Sequence, residues 1–179
     1  MVTDADTRAA IGDIFRRAAV EYTQLPKLER RRRALDDAEK LVRKRVMASA
    51  GYLFEHIHEV PVLVIPCIDG RYDAAPLPHQ ATAFASILPA VWSFMLAARA
   101  RGLGTTLTTA HLVREAEVAE LLGIPYAEVT QVALLPVAHT VGDDFKPAPR
   151  RPVDEVIHWE RWDARDASDK GEIDGAAHA

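Results

Sequence analysis

The chain has 179 residues, 49% of them apolar, and a formal net charge of -4. That length supports one domain with its own core, and the weakly acidic balance excludes the broad basic field that draws nucleic acid. Cys67 is the only cysteine, so neither an internal disulfide nor a cysteine-based zinc site can form; with no apolar leader in the opening MVTDADTRAA, this fits a reducing cytoplasm.

The first helix runs to about Tyr22, with Thr3 or Asp4 as its N-cap and Ala10, Ile14, Ala18 and Tyr22 on one face. Leu25-Pro26 ends it. From Lys27 to about Ile57 the chain is helix-prone, with Leu28, Leu35, Leu41 and Val46 at helical spacing. Residues 60 to 68, VPVLVIPCI, read as one buried strand because the apolar run is continuous. DGRYDAAPLPHQ reads as a loop rich in turn formers.

The next helix is expected from about Thr82 to Arg101, with Pro89 as a kink or a late start and Gly102 at its C-cap. Its apolar stretch, Ala83 to Ala98, holds Pro89 and two serines. It falls short of the roughly 18 uninterrupted apolar residues of a membrane span, so no membrane is expected as a partner. TTLTT then reads as a strand, REAEVAELLGIP as a short amphipathic helix, and EVTQVALLPVAHT as a third strand interrupted by Pro136. KPAPRRPVDEV is a proline-rich basic loop, and IHWERW a last short strand or an arm. The reading is one mixed α and β domain over residues 1–162, with an acidic, disordered tail over 163–179.

Two features carry chemistry. The backbone after the Gly102-Leu103-Gly104 turn can approach a flat polar ligand closely. Lys146, Arg150 and Arg151 sit in a proline-stiffened loop, where arginine is suited to bidentate contact with phosphate. Each also has a plainer reading, as a helix C-cap and as a solvated loop. The seven histidines show no metal-ligand spacing, so no metal is expected. No Walker lysine follows Thr105 to Thr109, and no G-x-S-x-G elbow occurs. Cys67 reads as an inert small hydrophobe.

In this order, SILPAVWSFMLAARARGLGTTLTT, VAELLGIPYAEVTQVALLPVAHT and KPAPRRPVDEVIHW resemble the FMN-dependent nitroreductase family. The resemblance implies an α+β sandwich around a mainly antiparallel sheet, in an intertwined homodimer with FMN at the interface. It implies a ping-pong reaction, in which NAD(P)H gives hydride to flavin N5 and an electron-poor small molecule, such as a nitroarene or quinone, takes the electrons. The flavin supplies the chemistry, so no catalytic side chain is expected. Leu107 falls where the family packs a residue on the isoalloxazine, and Thr108 and Thr109 where its backbone approaches N5 and O4. Arg150 and Arg151, with Lys146, fall near the family's C-terminal phosphate-binding residues.

The sequence also departs from the family. The resemblance opens at MVTDADTRAAIG, after the family segment that carries an Arg-x-Ser-x-Arg-like phosphate motif. The run Arg30 to Arg33 lacks that spacing and reads as a solvated or dimer-facing helix. Trp92-Ser93 stands where the family often has Gln-Asn. Two readings stay open: an active FMN oxidoreductase, and a nitroreductase-like dimeric or binding module with weak or no flavin binding.

Overall fold

The computed structural model describes residues 1–25, 37–142 and 150–162. The chain forms two compact units, Met1–Asp143 and Asp144–Ala179. The expected helix start at Lys27, Leu28, Leu35, the run Arg30 to Arg33, Lys146 and the acidic tail lie outside the described residues.

In the first unit, helix α1 spans Ala5–Thr23. Asp4 is its N-cap. The carboxylate accepts from the Thr7 N–H at 2.8 Å and from Thr7 Oγ1 at 2.6 Å, which lowers its pKa. The buried face is Ile11, Gly12, Ile14, Phe15, Ala18 and Ala19, rotated from the expected stripe. Arg8 ties α1 to the following turn by donating to the carbonyls of His58 (2.9 Å) and Val60 (2.7 Å). Helix α2 spans Asp37–His56. Leu41 and Val46 on it are exposed, while Leu53 and Phe54 pack on the core.

The run 60–68 is two strands, not one. Strand β1 is Val62–Val64 and β2 is Cys67–Asp69. Ile65-Pro66 divides them, since Pro66 has no N–H for a ladder; its carbonyl instead accepts from Val132 at 2.9 Å. Cys67 is exposed, its Sγ bonded weakly to the Ile65 carbonyl at 3.6 Å. Helix α3, Leu77–Arg99, starts five residues before the expected Thr82 and contains Pro89 in its interior, so Pro89 does not mark a late start. Helix α4 is Glu115–Leu122, ended by Gly123 at φ 66°.

Strands β3 (Leu103–Thr105), β4 (Val129–Gln131) and β5 (Leu135–His139) complete two antiparallel sheets, ordered β1-β5-β3 and β2-β4. The break in the expected third strand therefore falls at 132–134, and Pro136 lies inside the central strand. Its position explains why it is tolerated. Pro136 faces Leu63, and Leu63 exchanges both backbone bonds with Val2 on its other side, at 2.8 and 3.0 Å. The Leu63–Pro136 pair therefore needs no ladder bond. Val137 pairs with Thr105, the last residue of β3, so the opposite side of Pro136 lies past that strand's end.

Ile11, Phe15 and Ala19 of α1 form the main core with Ile57, Leu63, Ala110 and Leu134. Phe15 meets Phe54 edge to face, with centroids 5.4 Å apart. A second cluster joins Val91 of α3 to Ala133 and Leu135. Only one stripe of α3 is used in this way. Leu88, Trp92 and Leu96, four residues apart, form a second apolar stripe that stays exposed. By length and composition α3 is also long and apolar enough to cross a membrane.

In the second unit, Pro152 leads into a short 3-10 turn, Val153–Glu155, and the ring of His158 stacks on Trp162 at 4.2 Å. No strand forms over residues 157–162, which removes the short-strand reading of IHWERW and leaves the arm.

Candidate active site

The glycines after α3 serve the backbone. The cap of α3 is Ala100, two residues before the expected Gly102; Gly102 follows at φ 75° and turns the chain into β3, its N–H donating to the Arg99 carbonyl at 3.1 Å. A Cβ on Gly104 would lie 2.3 Å from Cγ2 of Thr140, so a side chain there would force Thr140 to shift at the end of β5. Only Thr105 of the expected TTLTT strand lies in β3. The chain then runs through Thr106 and Leu107 to a single bridge at Thr108.

That bridge fixes the next turn. Thr108 N–H donates to the Leu134 carbonyl at 3.0 Å, and Leu134 N–H donates to the Thr108 carbonyl at 2.8 Å. The Thr109 carbonyl accepts from Leu112 at 3.1 Å, starting the 3-10 turn Ala110–Arg114. The N–H groups of Leu107 and Thr109 have no partner among the described residues. Ala110 is buried in the main core and anchors the segment from below.

Thr106 to Ala110 line one side of a cavity of about 750 Å3, within the usual range for small-molecule sites. Leu107, Thr108 and Thr109 are thus brought together at its wall. The other side comes from Tyr22 and Thr23 at the end of α1 and from α2, including Arg43, Met47, Tyr52, Leu53 and Phe54. The sequence reading missed this α2 wall. Its signal was the spacing of Val46, Met47, Ala50, Leu53 and Phe54, a helical face that closes the cavity. Arg150 and Arg151 are exposed in the second unit and are not among the lining residues.

Behind the lining segment lies a polar layer. Glu115 accepts from both terminal nitrogens of Arg71, at 2.8 and 2.7 Å, and from the Gln131 N–H at 2.8 Å. The Arg71 guanidinium also lies 4.1 Å from the centroid of the Tyr126 ring. The bonds to Glu115 hold its pKa above the ordinary arginine value. His111 is fully buried and neither ring nitrogen has a partner. Burial lowers its pKa to about 4, against the opposing charge of Glu115. The imidazole next to the cavity wall is therefore neutral at physiological pH. Among the described residues, no cluster of potential metal ligands occurs.

The sequence profile of the Nitroreductase family matches residues 1–142, nearly the whole first unit. The chain belongs to the nitroreductase family. Solved structures with the same fold include iodotyrosine deiodinase bound to FMN and 3-iodo-L-tyrosine, at 20% identity and TM-score 0.59 over 90% of this chain and 74% of that one. A BluB-like flavoprotein from Clostridium difficile 630 aligns at 18% identity and TM-score 0.56, over 89% and 77% of the two chains. The FMN- and NADPH-dependent nitroreductase NfnB from sphigopyxis sp. strain HMH aligns at 20% identity and TM-score 0.53, over 90% and 78%. No curated protein sequence matches this chain. The mixed α and β architecture with antiparallel sheets is that of this nitroreductase fold.

Proposed function

We propose that the chain is an FMN-dependent NAD(P)H oxidoreductase acting on electron-poor small molecules such as nitroarenes or quinones. The observation that carries this is the cavity wall at Leu107, Thr108 and Thr109. The residues present fit a flavin ring. Leu107 gives an apolar surface, and the cavity has the volume for a ring and a second flat molecule. The unpartnered N–H groups of Leu107 and Thr109 are fixed donors for the ring's polar edge. Thr108 has already donated its N–H to Leu134, so we assign its ligand contact to the side chain rather than the backbone. Arg150 and Arg151 are assigned to the phosphate, as charge-assisted donors.

When bound, FMN supplies a two-electron carrier between donor and acceptor. The balance for a nitro compound is NAD(P)H + H+ + ArNO2 → NAD(P)+ + ArNO + H2O. The chain's own part is positional. The Thr108–Leu134 bridge holds the donor segment rigid, and α2 covers the other side of the cavity. The exposed Leu88, Trp92 and Leu96 stripe supports a homodimer, with the second copy covering α3.

The second reading, a dimeric module with weak or no flavin binding, is favoured by one observation. Arg43 is the single charged side chain among the described residues that line the cavity, and a phosphate dianion calls for several charged contacts. Absorbance of the purified protein and flavin titration by fluorescence quenching separate the two. Bound flavin reduced by NADH or NADPH supports the oxidoreductase. A folded protein that binds no FMN supports the module. Replacing Arg150 and Arg151 together by Ala should weaken FMN by about 1.5–3 kcal/mol per true contact. Equal affinity of variant and parent would remove them from the phosphate site.

A further inference from the structure

Arg43 stands apart from the chain's other cavity residues. It is half-buried on α2, and it makes no hydrogen bond or ion pair with any described residue. Its neighbours along the same wall are Met47, Tyr52, Leu53 and Phe54, an apolar and aromatic surface. Three other arginines of this unit are paired with carboxylates. Arg71 is held by Glu115, Arg114 by Glu21 and Glu117, and Arg17 by Glu117. A guanidinium set without a carboxylate into an apolar wall attracts an anion of the ligand, since partial desolvation strengthens that attraction.

We propose that Arg43 selects electron acceptors that are aromatic acids, by pairing with a carboxylate or sulfonate on the acceptor ring. The inference rests on the oxidoreductase reading above and adds its substrate class. An acceptor must lie face to face with a flavin held on the Leu107–Thr109 side. The α2 wall is then the surface it meets next. Tyr52 and Phe54 supply rings for the acceptor's body, and Arg43 supplies a positive charge for its substituent. Guanidinium and carboxylate match as a bidentate pair, which fixes the ring's orientation as well as its affinity.

The test compares 4-nitrobenzoate with neutral 4-nitrobenzyl alcohol on the flavin-loaded protein, in the parent, Arg43→Met and Arg43→Lys. The parent should favour the acid. Arg43→Met, which keeps most of the side-chain bulk, should shift the acid-to-neutral ratio of kcat/KM by about 10- to 100-fold, mainly through KM. Arg43→Lys should restore part of that preference. A ratio unchanged in Arg43→Met overturns the proposal. So does a loss of FMN affinity in Arg43→Met with riboflavin affinity unchanged, since Arg43 would then serve the flavin phosphate. Calorimetric titration with 4-nitrobenzoate needs no turnover and separates this proposal from the reductase reading. Binding to the parent that is lost in Arg43→Met supports it even where NAD(P)H oxidation is absent; equal binding by both, or none by either, overturns it.

Discussion

Thr108 and Leu134 exchange both of their backbone hydrogen bonds, at 3.0 and 2.8 Å, and this one bridge ties the cavity wall to the core. Leu134 is fully buried between α1 and the sheet. Leu134→Ala should therefore destabilise the fold by about 2–5 kcal/mol and loosen the segment that carries Leu107 and Thr109. Thr108→Val keeps the bridge and removes the hydroxyl that accepts weakly from the Ala110 N–H at 3.5 Å. It should cost under about 1 kcal/mol. Thermal denaturation read beside flavin content checks both. A Leu134→Ala protein as stable as the parent would contradict the anchoring role.

Glu115 holds Arg71 and the Gln131 N–H together, linking α4 to β4 and the loop after β2. Glu115→Gln should cost about 2–3 kcal/mol, below the roughly 3–5 kcal/mol of a fully buried pair, because Arg71 keeps some contact with water. Arg71→Met should cost a similar amount. The double variant should cost less than the sum, because neither partner is then left buried alone. Denaturant midpoints for the four proteins give this cycle directly, and simple additivity would show that the pair is not coupled.

His111 makes stability depend on pH. Its folded pKa is about 4, against 6.5 as the ordinary value. On acidification the unfolded chain takes the proton first, so stability falls as pH drops from about 6.5 to about 4. The loss amounts to about 3 kcal/mol by linkage. Above pH 7 both states are neutral at this residue and it adds no slope. His111→Leu also removes the unpartnered ring nitrogens from the interior. It should flatten this part of the stability profile, measured by urea denaturation at pH 5 and pH 7. An unchanged difference between the two pH values would place the dependence on other groups.

Trp92 is 59% exposed and Leu96 54% exposed on the outer stripe of α3. In a homodimer formed through this stripe, Trp92→Lys with Leu96→Lys should drive sedimentation from dimer toward monomer at micromolar concentration. The parent interface should exceed about 2,000 Å2, the obligate class. A parent that sediments as a monomer, with a cooperative thermal transition, would refute this assembly. Association of the parent with lipid vesicles would instead indicate that a membrane covers the stripe.

The local pattern of residues determined much of this fold. Asp4 as a cap, the helices around Ile14 and Val118, and the glycine end at Gly123 were legible because they depend on short-range backbone chemistry. The motif order from Ala97 to His139 carried the family. What the sequence could not show was decided by contacts between distant residues. The run VPVLVIPCI divides between two sheets because Leu63 pairs with Pro136 and Ile68 with Thr130. Gly104 leaves room for the side chain of Thr140, thirty-six positions on in the chain. The α2 wall of the cavity was invisible for the same reason. Val46, Met47, Leu53 and Phe54 have the spacing of a core face, and only the packing of α2 across from Thr106 to Ala110 leaves space there instead of filling it. Periodicity reports which side chains share a helix face; whether that face closes on a core or on a cavity depends on the distance to the next element, which no local pattern encodes.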